Sequence, residues 1–216
     1  MGKFIVLLLA ALAAVAPARA ETVLLLGDSI SAGYGLPTGR GWADLLRDKL
    51  KQAGGDYTLA NASISGETSA GGLARIDQEL SMHRPAIVIL ELGANDGLRG
   101  LPPAQLAANL EAIAQRSQAA GARVLLLGMR LPPNYGPRYL AAYADAYAAL
   151  AKKLGLPFVP FLLEGFAEDP AWFQADGIHP NEAAQPLLAE RVWQALQPLL
   201  PPPAAPAQAG RFKARR

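Results

Sequence analysis

The feature that most constrains the fold is an alternation of short apolar runs with longer segments whose apolar residues recur at helical spacing. This alternation is typical of a parallel sheet covered by helices, because strands buried on both faces are apolar almost without interruption. The predicted strands are Thr22 to Leu26, Tyr57 to Ala60, Ala86 to Leu92, Arg123 to Gly128 and Pro157 to Val159. The predicted helices are Trp42 to Ala53, Ala70 to Ser81, Pro103 to Ala120, Arg138 to Leu154 and Asn181 to Leu200. No repeat or internal linker interrupts them, so we predict one three-layer α/β/α domain with a five-stranded parallel sheet.

The first 20 residues have the pattern of a removable export signal. Lys3 gives a positive start, Phe4 to Val15 form an apolar run, and Ala18-Arg19-Ala20 is a small-x-small cleavage site. The apolar run is shorter than the roughly 20 residues that a membrane-spanning helix needs. We therefore expect a signal peptide at residues 1–20, a mature chain from Glu21, and a periplasmic or secreted protein without stable membrane insertion.

Composition narrows the possible partners and cofactors. Of the 20 basic residues, two lie in the signal and four in the last six residues, which leaves 14 basic against 18 acidic side chains between Glu21 and Leu200. Such a domain has no excess of positive charge for a nucleic acid. There is no Cys, which excludes disulfides and thiolate chemistry. We expect a domain at 21–200, followed by a disordered Pro/Ala-rich basic tail at 201–216.

The loops that follow the predicted strands carry most of the unusual polar residues. In open parallel sheets, ligands bind beyond the carboxyl ends of the strands, so these loops are where chemistry is expected. A fourth polar cluster lies just before the last predicted helix. The four segments are Gly27-Asp28-Ser29-Ile30-Ser31, Asn61 to Glu67, Gly93-Ala94-Asn95-Asp96-Gly97 and Asp176-Gly177-Ile178-His179-Pro180.

A serine nucleophile needs a base, and the chain offers only two histidines. His83 stands beside a cation, with no carboxylate expected close by, and we interpret it as a surface or strand-entry residue. His179 follows Asp176 by three residues, and Gly177 permits a turn that brings the carboxylate to Nδ1 of the imidazole. Asp176 and His179 can therefore complete a triad with Ser29, although a helix cap and a loop histidine would fit the same spacing.

Acyl transfer also needs donors for the negative oxygen of the tetrahedral intermediate. The candidates are the backbone N–H groups of Ser29 and Gly66 and the side-chain amide of Asn95. Gly66 could equally be an ordinary turn glycine, and Asn95 could bond only its own backbone. The neighbouring Asp28 is expected to brace the loop through backbone N–H groups.

The ordered set of these motifs resembles the SGNH (GDSL) hydrolase superfamily. One branch of this superfamily contains periplasmic acyl-CoA thioesterase I, lysophospholipase and arylesterase enzymes. The sequence is similar to this branch at Ala62 to Thr68, Met129 to Gly136 and Phe173 to Asp176. The resemblance implies a flavodoxin-like fold, a Ser29 nucleophile with Asp176 and His179, and oxyanion donors at Gly66 and Asn95. It also implies ester and thioester hydrolysis without a cofactor, on acyl-CoA thioesters, lysophospholipids, and aryl and short-to-medium acyl esters.

Apolar residues near these loops are candidates for an acyl-binding groove, although loop packing would explain them equally well. They are Leu98, Leu101, Leu131, Pro132, Tyr135 and Ile178. We expect a small-molecule acyl ester or thioester as the substrate, and a monomer.

Other functions fit the sequence less well. The loop after the first strand has no phosphate-binding glycine spacing and carries Asp28 where an anion would lie, which disfavours a nucleotide site. No Cys and only two distant His residues disfavour a metal site. A carbohydrate deacetylase of the same superfamily and a non-catalytic periplasmic binding module remain the alternatives.

Overall fold

The computed structural model describes residues 21–201. The expected signal peptide at 1–20, and all of the expected tail except Pro201, lie outside the described residues. Five strands form one parallel sheet in the order β2-β1-β3-β4-β5. They are β1 (Glu21–Gly27), β2 (Tyr57–Asn61), β3 (Ile87–Glu91), β4 (Arg123–Leu127) and β5 (Phe158–Val159). The predicted five-stranded parallel α/β fold is confirmed.

Seven α-helices connect and cover these strands within residues 21–201. They are α1 (Ser29–Ala32), α2 (Trp42–Gln52), α3 (Ser69–His83), α4 (Ala94–Leu98), α5 (Pro103–Ala119), α6 (Pro137–Leu154) and α7 (Gln185–Leu196). Helices α3, α5 and α6 pack side by side, and α2 packs against α7. The sheet therefore lies between two helical layers, as the alternation predicted.

Burial explains why the strand segments are so apolar. All five residues of β3 are buried, and so are the last five residues of β1 and the last four of β4. The largest buried side chain is Trp42, at the start of α2. Because both sheet faces are covered, the alternating polar pattern of a solvated strand is absent from β1, β3 and β4.

The sequence prediction missed two helices and extended another too far. Helices α1 and α4 have only four and five residues, which is too short to produce a helical repeat in the sequence. The predicted helix at Asn181 to Leu200 is instead a 3₁₀ turn (Glu182–Ala184), α7, and a second 3₁₀ turn (Gln197–Leu199). Proline lies in the first turn of α7 and in the final 3₁₀ turn, where its missing N–H costs no helical hydrogen bond.

The strand order creates the crevice in which the polar loops meet. Strand β2 lies next to β1 at one of its edges, and the chain then crosses over to β3, which lies at the other edge of β1. The connections after β1 and β3 therefore leave in opposite directions, and ligands bind at such a switch point. Ser29 lies two residues after the end of β1, and Asn95 lies in α4, which begins three residues after the end of β3.

Candidate active site

Ser29, His179 and Asp176 form a continuous hydrogen-bonded relay. His179 Nε2 lies 2.9 Å from Ser29 Oγ, and His179 Nδ1 lies 2.7 Å from Asp176 Oδ2. The serine and histidine are 150 positions apart in the chain, so only the fold brings them together. With Asp176 accepting at Nδ1, Nε2 is free to take the serine proton. The three predicted residues are thus brought together in the order that nucleophilic catalysis requires.

Asp176 is held by its own turn as well as by the histidine. Its Oδ1 accepts hydrogen bonds from the backbone N–H groups of Ile178 at 2.9 Å and His179 at 3.0 Å. The backbone at Gly177 has a φ of +66°, a left-handed conformation that glycine adopts readily. The N–H donors of His179 and Ile178, followed by the His179 ring, lower the pKa of Asp176 to about 2. Asp176 therefore stays ionised beside the imidazole at neutral pH.

The loop that carries His179 is fastened to the rest of the molecule. The His179 carbonyl accepts a hydrogen bond from Gln174 N at 2.8 Å, and the Gln174 side-chain amide donates to the Tyr34 carbonyl at 2.7 Å. The Tyr34 ring lies against the imidazole, with 4.6 Å between the ring centroids. These contacts hold the His179 loop against the segment that follows α1, and α1 is the helix that begins with Ser29.

Ser29 lies at the N-terminus of α1, and Asp28 caps that helix. Asp28 Oδ1 accepts the N–H of Ile30 at 3.0 Å, which confirms the prediction that Asp28 braces this loop. Burial raises the pKa of Asp28, while the Ile30 N–H and the charge of His179 act in the opposite direction. Ser29 itself is half-buried, so a substrate can reach its hydroxyl.

The structure also brings the three predicted oxyanion donors to the same crevice. Asn95 Nδ2 donates to the carbonyl of Glu67 at 2.9 Å and to Asp28 Oδ2 at 3.2 Å. Glu67 directly follows Gly66, whose φ is +82° and whose carbonyl accepts from Arg99 Nη2 at 2.9 Å. The Asn95 amide is therefore anchored between the segment that carries Gly66 and the residue that precedes Ser29.

A cavity of about 510 Å³ opens beside the relay. Four residues of the predicted acyl groove line it, namely Leu98, Leu131, Pro132 and Ile178. Leu101 and Tyr135, which were predicted with them, do not line this cavity. The Leu101 carbonyl accepts from Tyr139 Oη at 2.6 Å, and Tyr135 Oη donates to the Leu98 carbonyl at 2.9 Å. These bonds direct both tyrosine hydroxyls at the loop after α4, and Tyr135 lines a separate cavity of about 430 Å³.

Part of the lining of the 510 Å³ cavity was not predicted from the sequence. This part comes mainly from the segment after β5, together with two residues that follow β4. The residues concerned are Met129, Arg130, Phe161, Leu163, Ala167, Glu168 and Phe173. The apolar run Phe161 to Leu163 was the one available signal, since it follows a predicted strand as the other site loops do. Because β5 has only two residues, this run did not stand out from ordinary core packing.

The other histidine takes no part in the relay. His83 ends α3, and its Nε2 lies 3.4 Å from Glu79 Oε2 one helical turn earlier, so the expectation of no nearby carboxylate was wrong. Between residues 21 and 201, no group of three or more potential ligands could hold a metal ion. Within that same part of the chain, no helix is both long enough and apolar enough to span a membrane.

Comparisons with known proteins agree with this fold. The model of the GDSL-like Lipase/Acylhydrolase family matches residues 25–186. Esterase TesA of Pseudomonas aeruginosa is 56% identical over 183 residues, which cover 85% of this chain and 91% of that protein. Thioesterase 1/protease 1/lysophospholipase L1 of Escherichia coli K12 is 47% identical over 183 residues, which cover 85% and 86%. A crystal structure of TesA superposes with a TM-score of 0.81 at 56% identity, covering 83% of this chain and all of that one (100%).

Proposed function

Because the chain belongs to the GDSL-like lipase/acylhydrolase family and is an esterase of the SGNH type, we propose that Ser29, His179 and Asp176 carry out its reaction. The observation that carries this proposal is the relay itself, with 2.9 Å from Ser29 Oγ to His179 Nε2 and 2.7 Å from His179 Nδ1 to Asp176 Oδ2. Both distances are those of hydrogen bonds that can pass a proton.

The reaction proceeds through an acyl-enzyme. Ser29 Oγ attacks the acyl carbon of the substrate while His179 Nε2 takes the hydroxyl proton, and Asp176 stabilises the resulting imidazolium. The tetrahedral intermediate then collapses, and His179 returns the proton to the departing alcohol or thiol. In the second half, water attacks the acyl carbon while His179 Nε2 takes one of its protons. His179 then returns this proton to Ser29 Oγ as the carboxylic acid leaves, which restores the serine hydroxyl.

Three donors serve the negative oxygen of each intermediate. Ser29 begins α1, so its N–H has no acceptor within the helix and can point at the substrate. The Gly66 N–H and the Asn95 side-chain amide complete the set in our proposal. Asn95 Nδ2 carries two hydrogens: the 2.9 Å bond to the Glu67 carbonyl fixes the amide, and the hydrogen on the longer 3.2 Å contact with Asp28 Oδ2 turns to the oxygen as charge develops.

The cavity beside the relay supports acyl substrates. Most of its lining is apolar, including Leu98, Leu131 and Phe161, and its volume of about 510 Å³ suits a short or medium acyl chain. We propose fatty-acyl thioesters such as acyl-CoA, lysophospholipids, and aryl and short-to-medium acyl esters as substrates. The names of the two relatives, an esterase and a thioesterase with lysophospholipase activity, support this range.

We further propose that the enzyme acts outside the cytoplasm, in the periplasm or the medium. The support is the sequence of residues 1–20, with Lys3, the apolar run and the Ala18-Arg19-Ala20 cleavage site. Mass spectrometry of the exported protein should find Glu21 at its N-terminus. Recovery of the chain only in the cytoplasm, with residues 1–20 uncleaved, would contradict this proposal.

Covalent labelling tests the catalytic assignment directly. A fluorophosphonate should modify the wild-type enzyme at Ser29, as located by mass spectrometry, and should leave Ser29→Ala unlabelled, because only an activated serine reacts. The same substitution should lower kcat by on the order of 10⁴ or more without changing the melting temperature much. Labelling at another serine would refute the assignment.

A substrate series then tests the acyl cavity. The p-nitrophenyl esters from acetyl to palmitoyl should be hydrolysed beside an acyl-CoA and a lysophospholipid, with kcat/KM highest at short-to-medium chains. A sharp preference for acetyl over every longer chain would instead favour a deacetylase.

A further inference from the structure

Glu91 is a completely buried acid, and the relay does not use it. It ends β3 with 0% of its surface exposed, and within residues 21–201 its hydrogen-bond partners are Asp28 and Ser31, neither of them basic. Its Oε1 has no hydrogen-bond partner in the described part of the chain. Burial, followed by the nearby charge of Asp28, raises the pKa of Glu91 well above its usual range. A carboxyl group kept in such surroundings is costly for the fold, which suggests a use beyond packing.

The other oxygen of Glu91 holds the two residues that surround the nucleophile. Glu91 Oε2 accepts the N–H of Asp28 at 3.2 Å and the hydroxyl of Ser31 at 2.6 Å. Asp28 directly precedes Ser29, and Ser31 follows it by two positions on the first turn of α1. Glu91 Oε2 therefore forms hydrogen bonds with residues on both sides of Ser29 in the chain.

The sheet and a glycine make this contact possible. Gly27 pairs with Glu91 in the register of β1 with β3, which places the carboxyl beside the end of the strand that leads to Ser29. A Cβ on Gly27 would lie 2.7 Å from the Ser31 side chain and 2.8 Å from Glu91 Oε2. Gly27 thus leaves the space through which the glutamate reaches the nucleophile loop.

The same network extends from the nucleophile to the oxyanion donor. Asp28, whose N–H is bound by Glu91, accepts Asn95 Nδ2 on its own Oδ2 at 3.2 Å. A shift of the Asp28 backbone would therefore move Ser29 and loosen Asn95 together. Small displacements of reacting groups cost large factors in rate, because attack requires closely aligned atoms.

We propose that Glu91 is a positioning residue for the proposed reaction, which clamps Asp28 and Ser31 through Oε2 so that Ser29 Oγ stays in line with His179. The inference depends on the proposed role of Ser29. Glu91 acts through an acceptor oxygen and not through a negative charge, since its surroundings oppose ionisation. An amide can supply the same oxygen, whereas an apolar side chain of similar length cannot.

Two substitutions at Glu91 separate these requirements. Glu91→Gln keeps the acceptor oxygen, so its kcat should remain within about threefold of wild type. Glu91→Met leaves the Asp28 N–H and the Ser31 hydroxyl without their partner, so its kcat should fall on the order of 10- to 100-fold, with KM nearly unchanged. The rate of fluorophosphonate labelling at Ser29 should fall in parallel. This rate measures the reactivity of the serine hydroxyl and does not depend on binding of an acyl chain in the cavity.

Ser31→Ala provides a milder test if Glu91→Met fails to fold. It removes one of the two donors, and its kcat should fall by about three- to tenfold. The matched control is Ser117→Ala, which also removes a fully buried hydroxyl, one bonded to the Ile113 carbonyl within α5. Ser117→Ala should change the melting temperature and leave kcat as it is. Thermal unfolding of every variant separates loss of positioning from loss of fold.

The outcomes are distinct. If folded Glu91→Met keeps its kcat within about threefold, or if Ser31→Ala behaves like Ser117→Ala, Glu91 has no positioning role. If Glu91→Gln loses as much as Glu91→Met, the charge is needed and the inference is wrong. Failure of the proposed function would instead appear in the wild-type enzyme, as an absence of label at Ser29.

Discussion

Asp176→Asn is the substitution that most sharply tests the relay. The two oxygens of the wild-type carboxylate accept different hydrogen bonds. Oδ1 accepts the backbone N–H groups of Ile178 and His179, and Oδ2 accepts the ring N–H of His179 at 2.7 Å. Asparagine has one acceptor oxygen, and the two backbone donors hold it at the Oδ1 position. The amide NH₂ then faces His179 Nδ1, which must become an acceptor. The ring proton moves to Nε2, where it faces Ser29 and blocks proton transfer.

The size of the loss follows from this change of tautomer. In hydrolase triads, the same exchange costs on the order of 10⁴ in kcat, or about 5 kcal/mol. The Asp176 side chain is 36% exposed here, so water can partly replace the lost carboxylate contact. We therefore expect kcat for a p-nitrophenyl ester to fall by about 10³ to 10⁴, with a smaller change in KM.

Asp169→Asn is the matched control, because Asp169 also caps a turn, accepting the N–H of Ala171 at 3.0 Å, but contacts no histidine. Its kcat should stay within about twofold of wild type. The assay compares the initial rates of both variants, together with their melting temperatures. If folded Asp176→Asn kept more than about a tenth of the wild-type kcat, Asp176 would be only a turn cap, and the assignment of the relay would be refuted.

The remaining predictions concern the proposed oxyanion donor Asn95, Gly27 at the end of β1, and the buried Glu91. Asn95→Ala should lower kcat on the order of 10²- to 10³-fold with little change in KM, and an unchanged kcat would remove it from the oxyanion donors. Gly27→Ala should lower stability by about 1 to 3 kcal/mol in urea unfolding, since its Cβ would lie 2.7 Å from Ser31, whereas Gly41→Ala, with its nearest neighbour at 3.5 Å, should cost less. The melting temperature of Glu91→Gln should rise relative to that of wild type as the pH increases above about 4.5, because burial raises the pKa of Glu91 in the folded chain, so the unfolded chain releases this proton at lower pH than the folded chain does. A relative melting temperature that fell over this range would contradict the direction given for the Glu91 pKa.

Much of the candidate site could be predicted because its residues carry local signals. The Asp176-Gly177-Ile178-His179 turn is short, and its carboxylate meets the ring within four residues. The choice of His179 was narrow because the chain has only one other histidine. Ser29 and Asn95 follow buried strands, so the general rule for parallel sheets placed both at one edge.

Apolar periodicity and turn chemistry act over neighbouring residues, so the strands, most of the longer helices and the residues available for acyl transfer could be predicted without the fold. The tertiary structure alone decided the strand order, and with it the 2.9 Å contact across 150 positions of the chain. It also decided that the segment after β5 forms a cavity wall and that Tyr135 turns away from that cavity. Glu91 is the clearest case, since in the sequence it is only a charge at the end of an apolar strand. Its contact with both sides of Ser29 exists because β1 and β3 are neighbours in the sheet, which no local pattern records.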